Sequence, residues 1–244
     1  MKFKSKVLQA IRRMCYGYFF VLLLVREPLT LLSQFALRRN GGLKGNYQLH
    51  RLYEIRKLLL NRNPKSGIEF GSGASTVLFA KYIKNFISIE ESFDWRDHYI
   101  NNLRFIKFLQ PSRYSRICKS IYMADRTEYC DSKGELVCSY NLPVEIKQQN
   151  YEIAYIDGPT NWVQGNTAKF DSIRDPFKLL PNISVCDLVH LPTTILVDGR
   201  RSTVSYLLDL GSIQNYNISL KGEYYANQQF FPYHTRFESP IKKN

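Results

Sequence analysis

The chain has 244 residues, 44% of them hydrophobic, and a formal charge of +13. That length and apolar content suffice for one well-packed domain with an appendage, and no internal repeat or low-complexity tract is present, which argues against solenoid and fibrous architectures. The charge suggests a nucleic-acid binder only until it is located: residues 1–45 hold nine Lys or Arg against the single acid Glu27, a net +8, and the remainder carries an ordinary +5.

The five cysteines, Cys15, Cys118, Cys130, Cys138 and Cys186, are odd in number and none is spaced C-x-x-C. A disulfide scaffold or structural zinc site is disfavoured, and reduced thiols in a cytoplasmic protein are expected. At the N-terminus, Val7, Leu8, Ile11, Met14 or Cys15, and Tyr18 recur at helical spacing, with Lys4, Lys6, Arg12 and Arg13 largely elsewhere around the helix. The apolar run from Tyr16 to Val25 stops at Arg26-Glu27-Pro28. It is about half the ~20 residues that cross a bilayer, and no A-x-A-type cleavage site follows it. The expectation is a basic interfacial helix, with residues 1–40 lying on an anionic membrane surface, peripheral to its inner face. A helix docked on the domain's own core and an uncleaved signal anchor are the alternatives.

Asn40-Gly41-Gly42 to Asn46 reads as a linker, dividing an N-terminal extension, 1–45, from a domain over 46–244. The segment Tyr47 to Leu60 predicts a helix, with Leu49, Leu52, Tyr53, Arg56, Leu59 and Leu60 on one broad face. Then comes the stretch Gly67-Ile68-Glu69-Phe70-Gly71-Ser72-Gly73-Ala74-Ser75-Thr76, an apolar strand end that breaks into glycines and opens a helix. Gly71 and Gly73 allow a tight turn with no Cβ between backbone and ligand, and Ser75 or Thr76 can cap the helix running through Val77, Leu78, Ala80 and Tyr82. The next strand, Phe86 to Glu90, ends in an acid at the distance expected for gripping a ribose diol.

This pairing resembles the class I S-adenosylmethionine-dependent methyltransferases, most sharply in Glu69-Phe70-Gly71-Ser72-Gly73. The resemblance implies that Glu69 lies near the methionine end of S-adenosylmethionine (SAM), that the turn from Gly71 through Ser72 and Gly73 to Ser75 and Thr76 lies against the cofactor, and that Glu90 binds the ribose. A dinucleotide fingerprint would want a third glycine where this chain has Thr76.

Phe93 to Phe108 predicts a helix in which Trp95, Tyr99, Leu103 and Ile106 are core, and Arg116 to Met123 predicts a strand. Asp125 after it is either an adenine contact, as the resemblance implies, or a turn residue. Asn141-Leu142-Pro143-Val144 resembles the Asn-x-Pro-aromatic motif of nucleic-acid amine methyltransferases, but Val144 stands where a base would stack, and a helix start at Pro143 explains the same letters. Nucleic acid is therefore disfavoured as a partner.

Tyr151 to Ile156 predicts a central strand that delivers Asp157 to its carboxyl end, and Thr194 to Val197 a second that delivers Asp198. The pattern resembles oxygen-directed small-molecule methyltransferases, in which such acids can hold a divalent metal. Here Gly199 replaces the usual Asn and His190 is the one substitute ligand in view, so a metal is not favoured. A helix-like stretch around Asp175 to Leu180, a helix from Ser202 to Leu210, and alternating strands at Tyr216 to Tyr225 and Gln228 to Phe237 complete the chain.

The expected fold is α/β: a Rossmann-like, doubly wound, seven-stranded and mostly parallel sheet with a C-terminal antiparallel pair. The expected activity is methyl transfer from SAM to a hydroxyl of a small molecule or glycan. Asp157 is the first choice for base, Asp198, His190 and Arg200 are second-line candidates, and Trp162 is a candidate wall of the acceptor site. A non-catalytic scaffold at a membrane and an NAD-dependent oxidoreductase are the rival readings.

Overall fold

Short β-branched and aromatic runs, each bounded by Gly, Pro or a polar residue, are what a buried parallel sheet requires, and here they pair accordingly. The structure, a computed structural model, describes residues 17–39, 47–157, 180–224 and 230–240. Two helices lead, α1 (Gly17–Arg26) and α2 (Pro28–Arg39), followed by α3 (Tyr47–Arg62). Then come β1 (Ser66–Phe70), α4 (Ala74–Tyr82), β2 (Asn85–Glu90), α5 (Phe93–Asn102), α6 (Arg104–Leu109), α7 (Pro111–Ser120) and β3 (Ile121–Met123). A hairpin of β4 (Arg126–Cys130) and β5 (Leu136–Tyr140) precedes α8 (Val144–Lys147), β6 (Ile153–Ile156), β7 (Thr194–Asp198), α9 (Arg201–Leu208), β8 (Asn217–Tyr224) and β9 (Phe230–Glu238).

Seven strands form one sheet in the order β3-β2-β1-β6-β7-β9-β8. The first five are parallel, and β9 runs antiparallel to both β7 and β8. This is the α/β sheet with a C-terminal antiparallel pair that the sequence predicts. The strand order reverses between β1 and β6, and ligands of open α/β sheets bind beyond the carboxyl ends of the strands at such a switch point.

The pleat sends alternate residues to two cores. On one face Tyr155 and Leu196 pack with Leu49, Leu52, Ile55 and Leu59 of α3 and with Val77 and Leu78 of α4. On the other, Ile68, Phe70, Ile156 and Val197 pack with Leu207 of α9. Leu23 of α1 and Leu29, Leu31 and Leu37 of α2 join the first core, so the leading helices are docked on the domain. The linker at 40–46, the stretch around Asp175 and Trp162 lie outside the described residues.

Three local expectations are corrected. Arg116 to Ser120 is the end of α7 rather than strand, and only Ile121–Met123 pairs with β2. Pro111 stands at the first helical position, Ile117 is buried, and Arg113 and Arg116 reach across to carbonyls of α4, which fixes the helical phase. The long helix at 93–108 breaks at Leu103, giving α5 and α6. The β4–β5 hairpin was not expected. Its turn is set by Gly134 at φ 78° and by Asp131, whose carboxylate accepts from the N–H groups of Lys133 and Glu135, both at 2.8 Å.

Candidate functional site

The glycine turn fills the switch point. Gly71 adopts φ 99°, a left-handed conformation that favours glycine, and its N–H donates to Ile89 O at 2.8 Å. On the other side, Asp157 N–H donates to Phe70 O at 2.9 Å. The end of β1 is thus tied to the ends of both β2 and β6, and the turn lies between Glu90 and Asp157. Gly73 is extended, at φ −168°, and a Cβ built there would meet nothing nearer than Ser75 Oγ at 3.8 Å. Nothing in the packing of the described residues demands glycine at this position, as expected where a ligand approaches the backbone.

Around the turn, polar side chains are held tightly. Glu69 is fully buried; it accepts from Ser75 Oγ at 2.5 Å, Thr76 Oγ1 at 2.6 Å and Ser88 Oγ at 2.8 Å. Burial pushes its carboxyl up to about 8, against the three hydroxyl bonds. Thr76 Oγ1 also accepts from Gly73 N–H at 2.9 Å. Glu69, Ser75 and Thr76 are thus bonded to one another behind and beside the Gly71–Gly73 turn, and these bonds hold its shape. Helix α4 begins at Ala74 with Gly73 as its N-cap, and Thr76, at the third helical position, caps it by accepting from Gly73 N–H, as expected of Ser75 or Thr76.

Glu90, also buried, accepts four hydrogen bonds. Ser72 N–H (3.1 Å) and Ser72 Oγ (2.6 Å) donate to Oε2, and the N–H groups of Glu91 (3.0 Å) and Ser92 (3.1 Å) donate to Oε1. Four is about the acceptor capacity of a carboxylate. A diol engages Glu90 only by displacing or sharing with these donors, of which the Ser72 hydroxyl is the one side-chain group. Trp95, read from sequence as core, donates its indole N–H to Ser72 O at 2.9 Å and so braces the turn. Asp125 follows β3 at the same sheet edge and is exposed; its carbonyl accepts from Asn141 N–H.

Beside the turn, the carboxyl ends of β6 and β7 bring Asp157 and Asp198 together. Arg51 of α3 donates Nη1 to Asp198 Oδ2 at 2.6 Å, and Arg200 Nη2 lies 4.0 Å from Asp157 Oδ1. His234, opposite Asp198 in the β7–β9 register, places Nε2 3.9 Å from Asp198 Oδ1. Burial, then Arg51, push the His234 imidazole down to about 3, so it is neutral. Desolvation in the concave edge and the adjacent Asp198 carboxylate push Asp157 up, to about 6, against Arg200 and Arg51. Because 42% of the Asp157 side chain remains exposed, the like-charge neighbour is the firmer of the two causes. Arg51 and His234 carried no sequence signal: each meets Asp198 only through the tertiary fold.

His190 is not brought here. It is exposed and precedes β7, at the amino edge of the sheet, whereas Asp157 and Asp198 stand at the carboxyl edge. It therefore cannot complete a metal set, and the cation beside Asp198 is the Arg51 guanidinium. Among the described residues no group of three or more His, Cys, Asp or Glu is arranged for a metal ion.

No family model and no curated protein matches the sequence. Solved structures do match by shape. An O-methyltransferase from Bacillus cereus, in complex with SAH (S-adenosylhomocysteine), superposes with a TM-score of 0.53 at 11% identity, covering 93% of this chain and 97% of that one. TomG, an O-methyltransferase from Streptomyces achromogenes in complex with SAM, gives 0.54 at 10% identity, with 93% and 96% covered. The chain has a class I methyltransferase fold. Within that fold, the switch point between β1 and β6 carries the Gly71–Gly73 turn, flanked by Glu90 and Asp157.

Proposed function

We propose that the protein transfers a methyl group from SAM to a hydroxyl of a small molecule or carbohydrate. The observation that carries this reading is the position of the glycine turn at the switch point, between a strand-end carboxylate on either side. The space at Gly73 suits a cofactor lying against the backbone, Glu90 suits its ribose diol once the Ser72 hydroxyl turns away, and Asp157 stands at the acceptor side. The O-methyltransferase activity of the two structural neighbours supports the same class of acceptor.

When bound, SAM supplies an electrophilic methyl on a sulfonium. The chain's own task is to hold the acceptor oxygen about 3 Å from it, in line, and to take up the hydroxyl proton. Asp157 takes that proton; its elevated value, about 6, makes it a stronger base than a free aspartate while leaving it ionised at neutral pH. Arg200 and Arg51 keep the two neighbouring carboxylates from repelling each other out of the site. Asp198, held by Arg51, orients the pocket floor.

Thermal-shift measurement with SAM, SAH and NAD tests this reading. SAM and SAH raise the melting temperature and NAD does not. A shift with NAD alone overturns it in favour of an oxidoreductase, and no shift with any of the three favours a scaffold.

A second reading concerns location. Tyr18, Val21 and Val25 of α1 recur on one exposed face. No single described helix is long and apolar enough to cross a membrane, and α1 with the first part of α2 forms a pair bent by 119°. We infer that this face rests on a membrane surface. Val21→Asp with Val25→Asp then moves the full chain from the membrane to the soluble fraction, and an unchanged distribution contradicts the inference.

A further inference from the structure

At the far end of α4 from the glycine turn, about 13 Å along a nine-residue helix, lies a separate cavity of about 500 Å³. It is bounded by the α1–α2 bend (Arg26, Glu27), the end of α4 (Lys81) and the first turn of α7 (Ser112, Arg113), with Arg116 one turn on. We propose that this cavity binds a phosphate-type oxyanion.

Its charge is the first argument. Arg26, Lys81, Arg113 and Arg116 face one acid, and that acid is already engaged. Glu27 accepts from Arg56 Nε at 3.0 Å, from Lys81 Nζ at 2.8 and 2.9 Å, and from the Tyr82 hydroxyl, with its side chain fully buried. Glu27 is bonded to Arg56 and Lys81, and among the described residues of the lining no second carboxylate stands opposite Arg26, Arg113 and Arg116.

The donors are the second argument. Nη2 of Arg113 donates to Val77 O at 2.8 Å and its Nη1 reaches Gln110 Oε1 only at 3.5 Å, while both terminal nitrogens of Arg116 are taken by Ala80 O and Lys84 O. Arg113 is half-buried, and its Nε atom is enclosed with no acceptor among the described residues, a donor that is costly to leave unmet. Burial pushes the Arg113 guanidinium down from its ordinary value, against the attraction of Glu27.

The third argument is the helix that bears it. Helix α7 has ten residues and no side-chain cap at Gln110, so the N–H groups of Ser112 and Arg113 in its first turn have no intrahelical partner. An oxyanion placed there meets backbone N–H groups, the positive end of the helix dipole and a guanidinium fork together. The volume accommodates a phosphate ester with a substantial organic substituent. Leu24 and Val25, both exposed, immediately precede Arg26 of the lining, so the ester is carried either by a membrane lipid or by a soluble metabolite.

The test is calorimetric titration of the full chain with inorganic phosphate, alongside sedimentation with vesicles of phosphatidylcholine with or without phosphatidic acid. Phosphate binds saturably at about millimolar concentration or below. Arg26→Gln and Arg113→Gln each weaken it roughly tenfold. Ser112→Glu abolishes it while leaving the melting temperature unchanged or raised, because a carboxylate is favourable in the first turn of a helix. This variant keeps the test decisive if Arg113→Gln fails to fold. Sedimentation that needs phosphatidic acid and is competed by phosphate assigns the oxyanion to a lipid; phosphate binding without it assigns a soluble ester. No saturable phosphate binding, or wild-type affinity in Ser112→Glu, overturns the proposal.

Discussion

Glu69 holds three hydroxyl donors in a fully buried site, and the low polarity there favours its protonated form, with a value of about 8. The stability this group contributes is fully present below its unfolded value, 4.5, and is lost as pH rises through about 8. Glu69→Gln, which cannot ionise, should remove that part of the pH dependence in chemical denaturation and change stability at pH 5 by no more than about 1 kcal/mol. An unaltered pH profile would show Glu69 ionised in the folded chain. Glu90 and Ser72 make a linked pair. Glu90→Gln should weaken SAM affinity roughly tenfold, whereas Ser72→Ala, which frees a lone pair on Oε2, should leave it unchanged or tighter. Titrations of both variants check this; an effect below about twofold for Glu90→Gln would leave it a role in the turn alone. For Asp157, Asn in its place should keep cofactor affinity and lower methyl transfer by roughly 10² to 10⁴. In the wild type kcat/KM should fall below about pH 6 as the carboxylate protonates. Full activity in Asp157→Asn would move the base to Asp198.

Helix α3 connects two parts of the molecule. Its buried stripe of Leu49, Leu52, Ile55 and Leu59 fixes the rotation that carries Arg51 to Asp198 and Arg56 to Glu27. Glu27→Ala would leave Arg56 and Tyr82 facing an emptied buried site. The loss should be about 3 kcal/mol, the low end for a broken buried pair, because Lys81 is 37% exposed and its arm is screened. Urea denaturation measures it, and a loss under 1 kcal/mol would mean that apolar packing alone docks the leading helices. The same element shows what was legible in the letters. Its apolar spacing gave the helix to within two residues, but no local pattern pairs Arg51 with an aspartate 147 positions away. Strand ends were legible because Asp157 and Asp198 follow unbroken apolar runs. The hairpin was missed although Asp131 and Gly134 mark its turn, since its strand β4 is mostly exposed and has no strong alternation.

Across the whole molecule, the apolar runs marked the central strands, and the resemblance at Glu69–Gly73 supplied the architecture in which they pair. The chemistry of the pocket was readable only in part. The position and charge of Glu69 were visible in the letters, while the three hydroxyls that enclose it come from α4 and β2 and meet it only after folding. The central claim is that the backbone at Gly73 lies against SAM. Calorimetric titration of SAH into the full chain and into Gly73→Val tests it most directly. At φ −168° a Cβ here meets no described atom nearer than Ser75 Oγ at 3.8 Å, so the two proteins should melt within a few degrees of each other. The account predicts saturable one-to-one binding to the wild type and a loss of at least roughly a hundredfold in Gly73→Val. Equal affinity in the two proteins would contradict it and place the cofactor elsewhere.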